Sequence, residues 1–178
     1  VLVSQTVRQV GLTYQHVLGS LIAKLEGAYR HFIPLSASAE TRFGAQPDRD
    51  HATIAVGFEY GIPHQSGPES TLILEGQGVL VKDEALRHAL SPFQRDVLAG
   101  YRLALNDENG KELMLGAIFD VESGDQYILT VNYQQRLGET WTVKAGLRLF
   151  QADASPMAGG ISALRDADHV RLTLTRHF

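Results

Sequence analysis

An all-β, antiparallel, up-and-down transmembrane β-barrel is the fold class this sequence predicts. Three observations lead there. The hydrophobic period is two over nearly the whole chain, the periodic segments are longer than ordinary strands, and short connectors alternate with long ones. The 178 residues are 44% hydrophobic and 20% charged, enough for one domain with a core. We read 1–178 as a single barrel domain, incomplete at its N-terminus.

Composition removes several function classes. The net charge of −4 comes without a basic stripe, so no nucleic acid is expected as partner. The absence of cysteine excludes disulfide frameworks and thiolate metal sites. No apolar run approaches the ~18 to 20 residues that a membrane-spanning helix needs, so any membrane assignment rests on strands. Residue 1 is Val and no leader-like segment follows it.

Nine segments alternate. In the first, Val10, Leu12 and Tyr14 stand against Gln9, Thr13 and Gln15. Leu21, Leu25 and Tyr29 then oppose Lys24, Glu26 and Arg30. Ile54, Val56, Phe58 and Tyr60 oppose Thr53, Gly57 and Glu59. Leu72, Leu74 and Leu80 oppose Thr71, Glu75 and Gln77. Val97, Tyr101 and Leu103 oppose Asp96 and Arg102. Leu113, Leu115 and Phe119 oppose Glu112 and Asp120. Tyr127, Leu129 and Val131 oppose Thr130 and Asn132. Trp141, Val143 and Leu147 oppose Lys144 and Arg148. Val170, Leu172, Leu174 and Phe178 oppose Arg171 and His177. Most segments run roughly 9 to 13 residues, against ~5 to 6 for common strands and ~9 to 11 for a tilted strand crossing a bilayer.

Alternation does not say which face is outward. In a soluble barrel of the lipocalin kind the apolar stripe would line the inside. Aromatics near the strand ends of the apolar faces favour a lipid-facing stripe with interfacial girdles. Glycines among charges on the other face (Gly11, Gly57, Gly100, Gly116 and Gly146) favour a crowded polar lumen.

The last ten residues, HVRLTLTRHF, resemble the ending of Gram-negative outer-membrane β-barrel proteins, which close on a strand with a terminal Phe or Trp. Val170, Leu172, Leu174 and Phe178 match that pattern. Arg176 departs from it, standing where Tyr or an apolar residue is usual. The segments SPFQRDVLAGYRLALND and LRDADHVRLTLTRHF are also similar to porin-like proteins of proteobacteria. The resemblance implies an outer-membrane location and contact with outer-membrane lipids including lipopolysaccharide. It also implies that the assembly machinery reads Val170, Leu172, Leu174 and Phe178.

The long connectors 33–49, 81–95 and 151–168 fall on one alternate set, as extracellular loops do; the short turn 122–125 is the exception on that side. Phe178 is then periplasmic and the first strand starts outside. An even-stranded barrel would need at least one strand upstream of Val1, so the chain is expected to be the C-terminal part of a larger barrel.

The expected function is an outer-membrane channel passing small solutes. The lumen candidates are Lys24, Glu26, Arg30, Glu59, Glu75, Asp96, Arg102, Glu112, Asp120, Lys144, Arg148, Arg171 and His177, because rings of charge tune pores. One alternative is a closed structural or binding barrel displaying its loops. The other is a lipid-modifying enzyme with His31, His51, His88 or His169 and Ser36, Ser38, Ser91 or Ser123 at the rim. No Gly-x-Ser-x-Gly and no metal-ligand spacing occur, so no enzyme activity, metal or cofactor is expected. The segment Arg42 to Asp50 reads as a solvated loop, and Asn109-Gly110 as a hairpin turn.

Overall fold

A computed structural model describes residues 6–33, 49–81, 83–90, 94–122, 124, 126–152 and 164–178. Nine antiparallel strands form one sheet in chain order among these residues. They are β1 (Val7–Leu18), β2 (Leu21–Phe32), β3 (His51–Pro63), β4 (Glu69–Leu80), β5 (Arg95–Ala104), β6 (Glu112–Asp120), β7 (Tyr127–Leu137), β8 (Trp141–Gln151) and β9 (His169–Arg176). Each strand pairs with the next, and β1 and β9 are the two free edges, so the sheet is open rather than closed into a barrel.

The register keeps the two sequence faces intact across all nine strands. One row runs Leu18, Leu21, Tyr60, Leu72, Tyr101, Leu115, Val131, Leu147, Val170. Because side chains alternate with period two, a slip by one residue would scramble this row. The apolar face is the exposed one: Leu12 is 69% exposed, Leu74 51% and Leu172 74%. Buried Val79, Ala104 and Ile128 all lie on the opposite, polar face. A flat sheet would expose both faces alike. The polar face is therefore the concave one, and the usual burial order is inverted.

The strand ends sort into two sets. Segments 19–20, 64–68, 105–111 and 138–140 lie at one end, and the strand ends Phe32 and His51, Leu80 and Arg95, Asp120 and Tyr127, Gln151 and His169 lie at the other. Gly19 turns the first hairpin with φ +61°, a conformation costly for any residue with a Cβ. At the same end the Asn106 side chain donates to the Gly67 carbonyl at 2.9 Å, tying two neighbouring turns together.

The long-connector end uses one device twice. Asp50, just before β3, accepts the Phe32 N–H at 2.7 Å, and Asp168, just before β9, accepts the Phe150 N–H at 2.7 Å. The following histidines each bond back to a carbonyl, His51 Nδ1 to Arg49 at 2.7 Å and His169 Nδ1 to Ala167 at 2.8 Å. Each ring also lies beside the capped phenylalanine, with centroids 5.9 Å apart for Phe32–His51 and 6.3 Å for Phe150–His169. A long connector imposes no register, so these caps satisfy an N–H near the end of one strand from the residue just before the next.

Two sequence expectations are corrected. The connector 81–95 contains a helix, α1 (Glu84–Leu90), where only a loop was expected. Asp83 is its N-cap: Oδ1 accepts the Ala85 N–H at 2.9 Å and the Leu86 N–H at 3.4 Å. The last strand ends at Arg176, not Phe178. Its partner β8 begins at Trp141, which faces Arg176, so His177 and Phe178 have no strand residue left to pair with. The His177 N–H still bonds the Thr140 carbonyl at 2.7 Å.

Candidate functional site on the concave wall

The register brings every candidate lumen residue within the strands to the same face. It pairs them into rows: Thr13, Glu26, Ala55, Gln77, Asp96 and Asp120 form one, and Gln15, Lys24, Gly57, Glu75 and Leu98 the next. Small residues hold these rows close. A Cβ on Gly57 would stand 3.5 Å from Glu75 Oε2 and 3.8 Å from Lys24 Cβ.

The charges do not form one continuous ring. Lys24 pairs with Glu59. Arg102 forks onto Glu112, with Nε–Oε1 at 2.9 Å and Nη2–Oε2 at 3.1 Å, and the Gln134 amide donates to the same carboxylate at 3.4 Å. A planar guanidinium matches a carboxylate in this two-bond geometry. Arg30 Nε donates to Gln9 at 3.0 Å, and its Nη1 faces His51 Nε2 at 3.4 Å. Asp96 and Asp120 face each other across β5–β6, 3% and 7% exposed, with Gln77 on the far side of Asp96. Lys144, Arg148 and Arg171 stand together on β8 and β9. His177 lies past the end of β9, within 3.1 Å of Thr142 Oγ1.

Helix α1 lies against this wall. Asp120 Oδ1 accepts the Glu122 N–H at 2.8 Å and Gly124 takes φ +71°, which shapes the 121–126 turn and presents Glu122. Arg87 of α1, only 6% exposed, binds the Glu122 carboxylate through two nitrogens, with Nε–Oε2 at 3.2 Å. Leu90 shares a cavity of about 730 Å³ with Gln9, Thr13, Glu26, Thr53 and Gln77. A seven-residue helix is marginal alone, so this docking holds it. Sequence reasoning missed Arg87, Glu122, Gln94 and Gln126, although Asp83 followed by Glu84, Ala85, Leu86 and Arg87 is a readable helix start.

Three of the histidines considered for a rim enzyme, His31, His51 and His169, make contacts at the strand ends. His31 Nδ1 meets Asp50 at 2.5 Å, and Tyr29 donates to the same carboxylate at 3.2 Å. His31 first and the Phe32 N–H second hold the Asp50 carboxyl below its usual value of 3.8. His51 and His169 serve the strand caps. Ser36, Ser38, Ser91, Ser123, Arg42, Asp48 and the His88 side chain lie outside the described residues. Among the described residues no three acidic or histidine side chains group to hold a metal ion.

The apolar face carries aromatics at both ends. Tyr29, Phe119 and Tyr127 lie toward the long-connector end, the last two with centroids 6.2 Å apart. Tyr60, Tyr101, Tyr133 and Trp141 lie toward the short-turn end. Val170, Leu172 and Leu174 of β9 share this face, all strongly exposed. Arg176 has its Cζ 5.7 Å from the Trp141 ring and 4.9 Å from the Phe178 ring, so its cation lies on aromatic faces. No protein-family model, no curated protein and no solved structure matches the chain.

Proposed function

We propose that the chain is part of an outer-membrane β-barrel whose concave wall lines a water-filled channel for small solutes. The observation that carries this reading is the inverted burial. Nine long strands present a continuous apolar face outward and gather their charges on the concave side. In water such a face would be a severe aggregation liability; in lipid it is the ordinary solution. A strand of 11 residues such as β8 is about 36 Å long, which at a tilt near 45° rises about 26 Å, near the height of a bacterial outer-membrane apolar band. The two aromatic bands match the interfaces. Under this reading the long connectors are extracellular, lipopolysaccharide surrounds the outer leaflet, and the assembly machinery reads β9 with Phe178.

The docked helix favours one refinement: α1 narrows the passage from the wall between β4 and β5. The test is reconstitution, in planar bilayers, of the complete barrel protein that carries this chain, with cell fractionation beside it. Discrete ion current and recovery in the outer-membrane fraction are expected. No current at any voltage would leave a closed barrel that displays its loops. Recovery in the aqueous fraction without detergent would remove the membrane reading altogether.

A further inference from the structure

We propose that Gly146 is the floor of an oxyanion-binding cradle, which takes the phosphate or carboxylate group of a small solute. The inference rests on the concave wall facing water, and so on the channel reading.

Strand β8 sets Lys144, Gly146 and Arg148 in succession on the concave face. The register places Arg171 of β9 directly opposite Gly146, with Asn132 of β7 on its other side. Arg171 is thus the diagonal neighbour of both Lys144 and Arg148, where Cβ atoms lie about 7 Å apart. Gly146 leaves the centre without a side chain. A Cβ there would stand 3.1 Å from Asn132 Oδ1, so the glycine is what keeps the floor open.

The cluster carries more positive charge than the one acid beside it, Glu112, which also feels Lys144. Lys24, Arg87, Arg102 and Lys111 each have a carboxylate partner. Lys144, Arg148 and Arg171 have none among the described residues. The nearest acid, Glu112, is taken by both bonds of Arg102 and a third from Gln134. Three like charges held on adjacent strands repel, and an anion between them removes that cost. A cavity of about 470 Å³ opens here, lined by Lys144, Gly146, Arg171, Asn132 and Thr173, with the Arg102-bound Glu112 on its far side; Arg148 lies outside the lining, next along β8. That is room for a small solute. Guanidinium, ammonium and hydroxyl donors suit the several acceptor oxygens of phosphate or carboxylate better than they suit chloride.

The test titrates inorganic phosphate, and separately citrate, into the complete barrel protein that carries this chain, folded in detergent micelles, at constant ionic strength in chloride. Calorimetry reads the binding. Saturable binding of both is expected, weakened about tenfold or more when Lys144→Gln and Arg171→Gln remove two charge-assisted bonds. Arg165→Gln, on a distant exposed connector, is expected to leave it unchanged. Gly146→Ala keeps every charge and is expected to weaken binding as well, which a diffuse cationic patch would not show. Phosphate no tighter than chloride, or equal weakening by Arg165→Gln, overturns the cradle. Heat-dependent gel migration checks that each variant is folded. Phosphate binding without bilayer current would remove the channel and keep the cradle. Current without phosphate binding would do the reverse.

Discussion

Asp107 shows how one residue closes a hairpin. Its Oδ1 accepts the Lys111 N–H at 3.0 Å, its Oδ2 meets Lys111 Nζ at 2.9 Å, and its carbonyl accepts the Gly110 N–H at 2.9 Å. The turn differs from the two-residue Asn-Gly hairpin: it spans 105–111, with positive φ at Gly110 (+56°) and Asn106 (+51°) and not at Asn109. The Lys111 N–H first and the Lys111 ammonium second hold the Asp107 carboxyl below its usual 3.8. A depressed carboxyl stabilises the folded state above its unfolded value, and that stabilisation is lost as pH falls through the lower, folded one. Asp107→Ala is therefore expected to lower the urea midpoint near neutral pH. The gap from the parent chain should narrow below pH 3.8, the ordinary value. A gap that stays constant down to about pH 3 would place the effect in the backbone turn rather than the charge.

At the scale of elements, the Arg87–Glu122 contact is the polar tie between α1 and the wall. The Arg87–Glu122 pair lies at 7% and 20% side-chain exposure, and Arg95 Nη1 approaches the same carboxylate at 4.0 Å. Breaking a buried pair leaves an uncompensated charge, which costs about 3 kcal/mol. Arg87→Ala is expected to release the helix while the sheet survives. Faster amide exchange over α1 with unchanged exchange in β3 and β4 would show it. Exchange unchanged in α1 would mean that Leu90 and its neighbours hold the helix without the pair. The Asp50 and Asp168 caps are the other element-scale device. They recur at the starts of β3 and β9, each following a long connector, as Arg49-Asp50-His51 and Ala167-Asp168-His169.

At the scale of the molecule, the sheet has two open edges. Strand β1 runs in the same direction as β9, because eight antiparallel pairings, an even number, lead from one to the other. Joining these edges directly would make a parallel ladder, so an all-antiparallel closure takes an odd number of further strands. Both edges are long and apolar on one face, the kind that demands a partner. The outward face gives its own prediction. Leu74→Arg, midway along β4 and 51% exposed, is expected to cost ~2 to 4 kcal/mol of folding stability in lipid vesicles. Thr71→Arg, on the concave face, is expected to cost far less. Equal penalties would mean that the apolar face does not meet hydrocarbon.

Strand number, strand order and the division into two faces were legible in the sequence. Period two is a local property: each of Leu72, Leu74, Glu75 and Gln77 announces its side by its own position. The short helix was not legible as part of the wall, because Asp83 to Leu90 carries no strand period and its docking depends on Glu122, distant in sequence. The pairing of charges was not legible either. Lys24, Glu26, Arg102, Lys144 and Arg171 look alike in a list of polar-face residues. Only the register sets Arg102 against Glu112 and gathers Lys144, Arg148 and Arg171 around Gly146 in excess of the one acid beside them. The sequence by itself determined an all-β chain with one apolar and one charged face, since alternation along a strand is written residue by residue. The tertiary structure alone decided which face is concave, where the helix rests and which charges are neutralised. Those depend on neighbours that strand pairing brings together across long stretches of chain.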